Sequence, residues 1–185
     1  MGPIVEQKIL DILAAHGVMA MAALRPDGWP QATTVSYVSR GLILYCLVSR
    51  TSQKFGNISL DDPVSICIGA ETAAPSNILG LTMSARAIES RDEPYRSEML
   101  ACLSARHPGY FDPKALDMDR SALIRVLPEV ISIIDYAKGL GHTDIVTVGA
   151  AQTLLLTAVR PDDWGEAPKA RHPGTSPFDA GARAQ

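Results

Sequence analysis

Apolar residues along this chain change from helical spacing to alternation and back, and the changes divide it into short elements. Val5, Ile9, Ile12 and Leu13 recur at helical spacing with Gly17 after them, which predicts an amphipathic helix ending near His16. Val18 to Leu24 is apolar and reads as a strand. Arg25-Pro26-Asp27-Gly28 is a turn, because proline presets φ and glycine tolerates positive φ. From Gln31 to Val38 the pattern alternates: Thr33, Val35 and Tyr37 share one face, and Ala32, Thr34, Ser36 and Val38 the other. Ser39-Arg40-Gly41 then turns the chain as a tight hairpin into Leu42 to Val48, a run that reads as a strand buried on both faces.

Thr51 or Ser52 is suited to cap a short helix running towards Ser59, and Asp61-Asp62-Pro63 breaks the chain after it. Val64 to Ile68 is a short strand, Thr72 to Asn77 a loop, and Leu79 to Glu89 a second alternating strand. Asp92-Glu93-Pro94 opens a helix with Tyr95, Met99, Cys102 and Leu103 as its apolar stripe, and His107-Pro108-Gly109 ends it. Ala122 to Leu127 and Val130 to Ile134 read as strands split at Pro128. Ile145 to Val148 adds a short strand, and Gln152 to Val159 stays open between strand and helix. The expectation is a mainly β (α+β) domain over residues 1–160, with a Pro/Gly-rich tail over 161–185. Short loops favour antiparallel pairing, and about six short strands with few helices predict a small closed barrel with the helices outside it.

The chain has 185 residues and a net charge of −3, with neither a basic block nor an aromatic-rich basic face, so nucleic acid is not an expected partner. Cys46, Cys67 and Cys102 are too far apart for a metal motif. Free cysteines and an opening that does not read as a signal peptide lead us to expect a reduced, cytoplasmic setting. No apolar run is long enough to span a membrane. Trp29 is expected as a packing residue.

Chemistry concentrates after the Leu42 to Val48 run, in Ser49-Arg50-Thr51-Ser52-Gln53-Lys54. A strand here delivers hydroxyls, a guanidinium and an ammonium to the start of a helix. Free N–H groups and the positive dipole end at that start favour an anion. Arg50 can grip two oxygens and Lys54 adds a point charge, so the segment reads either as a phosphate cradle or as a solvated basic loop. A second segment, Lys138-Gly139-Leu140-Gly141-His142, follows the last long apolar run. It is not a dinucleotide fingerprint, since Asp144 stands in place of the third glycine and strand formers follow. It reads either as a loop lining a pocket, its glycines allowing close approach to a flat ligand, or as a plain strand connection.

These segments together resemble the pyridoxamine 5'-phosphate oxidase-like, FMN-binding split-barrel family. The resemblance covers Ile9 to about Glu89: Ala20 to Leu24 with its Pro-Asp-Gly turn, Gln31 to Val38, Tyr45 to Lys54, Asn57-Ile58 and Asp61-Asp62-Pro63-Val64. It implies a six-stranded antiparallel split barrel that forms a homodimer, with FMN in the groove between subunits. Gln31, Thr33, Thr34, Val35 and Ser36 would run beside the flavin ring. Val48, Ser49, Arg50, Thr51, Ser52, Gln53 and Lys54 would hold ring edge and phosphate, and Lys138 and His142 would lie near the flavin. The implied activity is an FMN-dependent oxidoreductase acting on a small molecule, with no catalytic residue and no metal assigned. A non-catalytic flavin sensor, or a barrel using haem or a deazaflavin, is the alternative. Arg171-His172 does not reproduce the C-terminal Arg-x-His motif of the true oxidases, which argues against vitamin B6 oxidation.

Overall fold

The N-terminal periodicity becomes helix α1 (Gly2–Ala15), which buries Ile9, Ile12 and Leu13. The computed structural model describes residues 2–69, 72–91, 95–149 and 154–160. Strands β1 (Val18–Leu24) and β2 (Pro30–Ser36) form a hairpin, with Gly28 at φ 83° in its turn. After Tyr37 the chain continues as β3 (Val38–Arg40), turns at Gly41 (φ 59°) and returns as β4 (Ile43–Ser49). Helix α2 (Gln53–Leu60), β5 (Pro63–Gly69) and β6 (Leu79–Glu89) follow. Helix α3 (Tyr95–Arg106), β7 (Ser121–Asp135), β8 (Thr143–Val148) and β9 (Leu154–Arg160) complete the described elements.

The pairing order is β2-β1-β5-β6-β7-β4-β3, and every ladder is antiparallel. The two ends of that order, β2 and β3, are consecutive halves of one extended stretch. At Tyr37 its pairing partner changes: β2 pairs with β1, the Tyr37 N–H donates to Gly17 O at 2.9 Å, and β3 pairs with β4. One bent stretch therefore belongs to both edges and curls the sheet into a split barrel, which bears out the expected architecture. Counted as walls, the barrel has six extended stretches, because β2 and β3 share one.

Where a break at Pro128 was expected, β7 is continuous. Ala85 pairs with Pro128 while Ser84 pairs with Val130, so Glu129 is the extra residue of a bulge and the missing proline N–H is accommodated there. The other edge of β7 changes partner at the same place, from β4 over residues 121–126 to β8 over residues 130–134. β9 pairs with β8, which resolves as strand the segment left open between strand and helix. The start of the third helix at Asp92-Glu93-Pro94 and the tail 161–185 lie outside the described residues.

Inward residues of the strands, among them Met21, Val35, Leu44, Cys46, Ile66, Leu81 and Ile124, form the barrel core with α1. The outer face of β4 is also covered: Tyr45 and Leu47 pack with Met99, Leu100 and Leu103 of α3. That explains a strand with no polar alternation. Arg106 of α3 closes the end of α1, donating from Nη2 to Ala14 O at 2.8 Å and His16 O at 2.6 Å. Trp29, in contrast to its expected packing role, is 56% exposed. At the far end of the β5–β6 ladder Gly69 pairs with Gly80, and a Cβ on Gly80 would lie 2.6 Å from Ile68 O. Gly80→Ala should therefore cost about 1–3 kcal/mol by forcing the strands apart. Thermal melting checks this, with a fall of several degrees expected.

Candidate functional site

The Ser49 to Lys54 turn is built by its own hydroxyls. Ser52 caps α2: its Oγ accepts from Phe55 N at 3.2 Å and donates to Ser49 O at 2.6 Å. Ser49 Oγ and Thr51 Oγ1 share a hydrogen bond of 2.9 Å. Helix geometry leaves the Gln53 and Lys54 N–H groups with no carbonyl one turn earlier. The start of α2 thus carries a partial positive charge and two donors.

An open cleft of about 430 Å³ lies against this turn. Thr34, Val35 and Ser36 of β2, Val48 and Ser49 at the end of β4, and Ser52 and Lys54 at the start of α2 line it, with Val18, Leu47 and Tyr110. Two segments that the sequence singled out separately are thereby brought to one place. Lys54 is half buried and has no carboxylate partner among the described residues. Burial pushes its ammonium below the ordinary lysine range, with Cys46 partly opposing this. Burial in the core likewise pushes the Cys46 thiol up to about 12, Lys54 partly opposing. A partly desolvated cation beside a helix N-terminus is a site for an anion.

Other expected site residues do something else. Arg50 turns away from the cleft: its guanidinium holds Glu89 of β6 through Nη2, donates from Nε to Met118 O at 3.1 Å, and lies 5.3 Å from the Phe55 ring centre. Arg50 chiefly, with Arg91, keeps the Glu89 carboxyl below its ordinary range despite burial. Arg50 therefore fastens the turn to β6. Gln31 and Gln53 join β2 to α2, with Gln31 Nε2 donating to Gln53 Oε1 and Asn57 Nδ2 to Gln31 Oε1, both at 2.9 Å. Thr33 faces the barrel interior, where its Oγ1 is buried without a hydrogen-bond partner, and Thr51 stays exposed.

Lys138 and His142 do not reach the cleft from within the same chain. Both sit beyond Asp135 at one end of β7, whereas Ser49 pairs with Ser121 at the other. They grip Asp144 instead, Lys138 Nζ at 2.7 Å and His142 Nε2 at 3.0 Å, and Lys8 of α1 holds Asp135 alongside. Burial alone would raise the Asp135 and Asp144 carboxyls, but these partners outweigh it and both lie below the ordinary aspartate range. Gly139 (φ 144°) and Gly141 (φ 84°) serve the turn. Sequence reading missed Tyr110, because its place at the cleft depends on how the segment after α3 folds back.

The profile of the pyridoxamine 5'-phosphate oxidase family matches residues 5–135, a span that includes every protein segment lining the cleft. No curated protein sequence matches the chain. Among solved structures it is similar to a Listeria innocua protein provisionally named pyridoxamine 5'-phosphate oxidase, at 24% identity and TM-score 0.60 over 71% of this chain and 98% of that one. It is also similar to a heme binding protein from Mycobacterium smegmatis, at 21% identity and TM-score 0.65 over 77% of this chain but only 57% of that one. A fad-binding protein from Mesorhizobium loti is similar at 17% identity and TM-score 0.56, over 69% of this chain and 90% of that one. At these identities the structural likenesses establish the fold, and the profile match over most of the chain establishes the family. With its split barrel and the matched span 5–135, this chain belongs to the pyridoxamine 5'-phosphate oxidase family.

Proposed function

We propose that the chain is an FMN-dependent oxidoreductase, acting on a small molecule as a cytoplasmic homodimer. One observation carries the reading: β2, the end of β4 and the start of α2 line one cleft, where the half-buried Lys54 lacks a carboxylate partner among the described residues. The donor set fits a flavin phosphate. Lys54, the Ser49 and Ser52 hydroxyls and the first N–H groups of α2 would hold the phosphate, and Val18, Val35, Leu47 and Val48 offer an apolar side for the ring. FMN supplies the redox chemistry when bound; the chain supplies binding, orientation and electrostatics. A second copy suits the openness of the cleft, and the small side chains of Ala20, Ala22, Ser65 and Thr82 on the outer sheet offer it a flat surface. Lys138 and His142 would approach a flavin only from the partner subunit. Among the described residues no helix is long and apolar enough to cross a membrane.

The likeness to a heme binding protein supports a second reading, a haem-binding barrel. Against it, among the described residues no histidine, cysteine or methionine lines the cleft, and Tyr110 is the one side chain there of a type that ligates haem iron. The absorbance spectrum of the purified protein, followed by titration with FMN and with riboflavin, separates the readings. Two bands in the blue and near-ultraviolet, and FMN bound more tightly than riboflavin, are expected. A Soret band replaces the flavin reading with haem. A colourless protein indifferent to FMN leaves a deazaflavin user, and a flavoprotein with no turnover is a sensor.

A further inference from the structure

Among the described residues Tyr110 is the one aromatic side chain lining the cleft, and it is held there by a built turn. His107-Pro108-Gly109-Tyr110 closes with Tyr110 N donating to His107 O at 3.1 Å, and Gly109 has φ 81°. Proline second and a positive-φ glycine third are the requirements of a type II turn, so the sequence itself sets where Tyr110 emerges. The ring is braced on two sides by edge contacts, to Phe111 with centres 5.7 Å apart and to His107 at 6.3 Å. Phe111 packs into the cluster under α3, and His107 sits over Gly17, its Nε2 3.4 Å from Tyr37 O. Tyr110 nevertheless remains 53% exposed. A ring fixed by its neighbours yet left half open, in a cleft otherwise lined by aliphatic, hydroxyl and ammonium groups, is arranged to take a second flat surface.

We propose that Tyr110 is a positioning residue against which the planar ring system of the ligand stacks, so that it selects aromatic ligands for this cleft. The inference rests on the flavin reading and adds the residue that recognises the ring rather than the phosphate. Braced aromatic rings lose little freedom when a ligand stacks on them, and deleting one such stack typically weakens binding by about tenfold.

The test is FMN titration of the full chain by flavin fluorescence, for the wild type, Tyr110→Phe and Tyr110→Leu, with a thermal melt of each. A tyrosine or tryptophan ring stacked on a flavin quenches its emission by donating an electron to the excited ring, which phenylalanine cannot do, whereas a merely structural role would leave the emission of bound FMN unchanged in every variant. The expected result is strong quenching in the wild type, and in Tyr110→Phe brighter bound FMN at close to wild-type affinity, because the phenyl ring still stacks but cannot donate an electron. In Tyr110→Leu we expect brighter bound FMN and binding weakened by about tenfold, with the melting temperature kept. FMN bound by Tyr110→Leu with wild-type affinity and quenching overturns the proposal while the flavin reading stands. FMN not bound by the wild type overturns both. Should Tyr110→Leu melt early, Tyr110→Phe decides: brighter bound FMN at close to wild-type affinity supports stacking, and anything else overturns it.

Discussion

Lys54→Met is expected to weaken FMN by roughly tenfold to a hundredfold and to leave riboflavin binding nearly unchanged. A charge-assisted hydrogen bond typically contributes about 1.5–3 kcal/mol, and riboflavin lacks the group that receives it. Arg50→Ala should cost less affinity than its charge alone predicts, since its guanidinium is engaged by Glu89 and Met118 O. The pH dependence has a definite sign. Burial holds the Lys54 ammonium below the ordinary lysine range, so it loses its proton at a lower pH than an exposed lysine. FMN affinity should fall as pH rises through that lowered value. Stability without ligand moves the other way, because there the unfolded chain binds the proton more tightly than the folded one. Lys54→Arg should keep its charge and flatten the alkaline fall. Isothermal titration across pH measures both effects, and equal losses for FMN and riboflavin in Lys54→Met would remove the phosphate from this end of the cleft.

The parts of this site that were legible in the sequence are those set by neighbours along the chain. Ser52 as cap and the face shared by Thr34 and Ser36 follow from spacing of one to four residues, and the structure bears them out. So does the doubly buried β4 strand. What spacing could not supply is the partner across the sheet. Arg50 reads as a free anion grip until β6 brings Glu89, thirty-nine positions away, against it. Lys138 and His142 read as pocket-facing until the turn after β7 returns Asp144 to them. The same limit hid β3: a local reading saw a hairpin at Ser39 to Gly41, while the change of partner at Tyr37 is a property of the closed sheet. Buried or half-buried charges are poor sequence signals, because a cation awaiting a ligand and a cation awaiting a distant carboxylate have the same neighbours in the chain.

Tyr37→Ala is expected to be the most damaging single change, at about 3–5 kcal/mol, the range for removing a buried aromatic side chain. Tyr37 is fully buried at the point where the barrel changes partners, donates from its hydroxyl to Leu13 O at 3.0 Å, and lies under the Arg106 guanidinium at 5.9 Å. It thus joins α1, α3 and the bend that carries Ser36 into the cleft. In a chain of this size the loss should lower the melting temperature by about 10 °C or more, and FMN binding should fail with the fold. Tyr37→Phe keeps the packing and gives up one hydrogen bond, about 1 kcal/mol, and should bind FMN like the wild type. Burial raises the Tyr37 phenol to about 12, Arg106 partly opposing. The unfolded value is about 10, so the stability this group contributes is fully present below about 10 and is lost as pH rises towards 12. An ultraviolet titration should therefore show a late-ionising component, at about 12, that is missing from Tyr37→Phe. Absence of that late component from the wild type would mean that water reaches the bend, and the closure of the barrel at Tyr37 would then need another anchor.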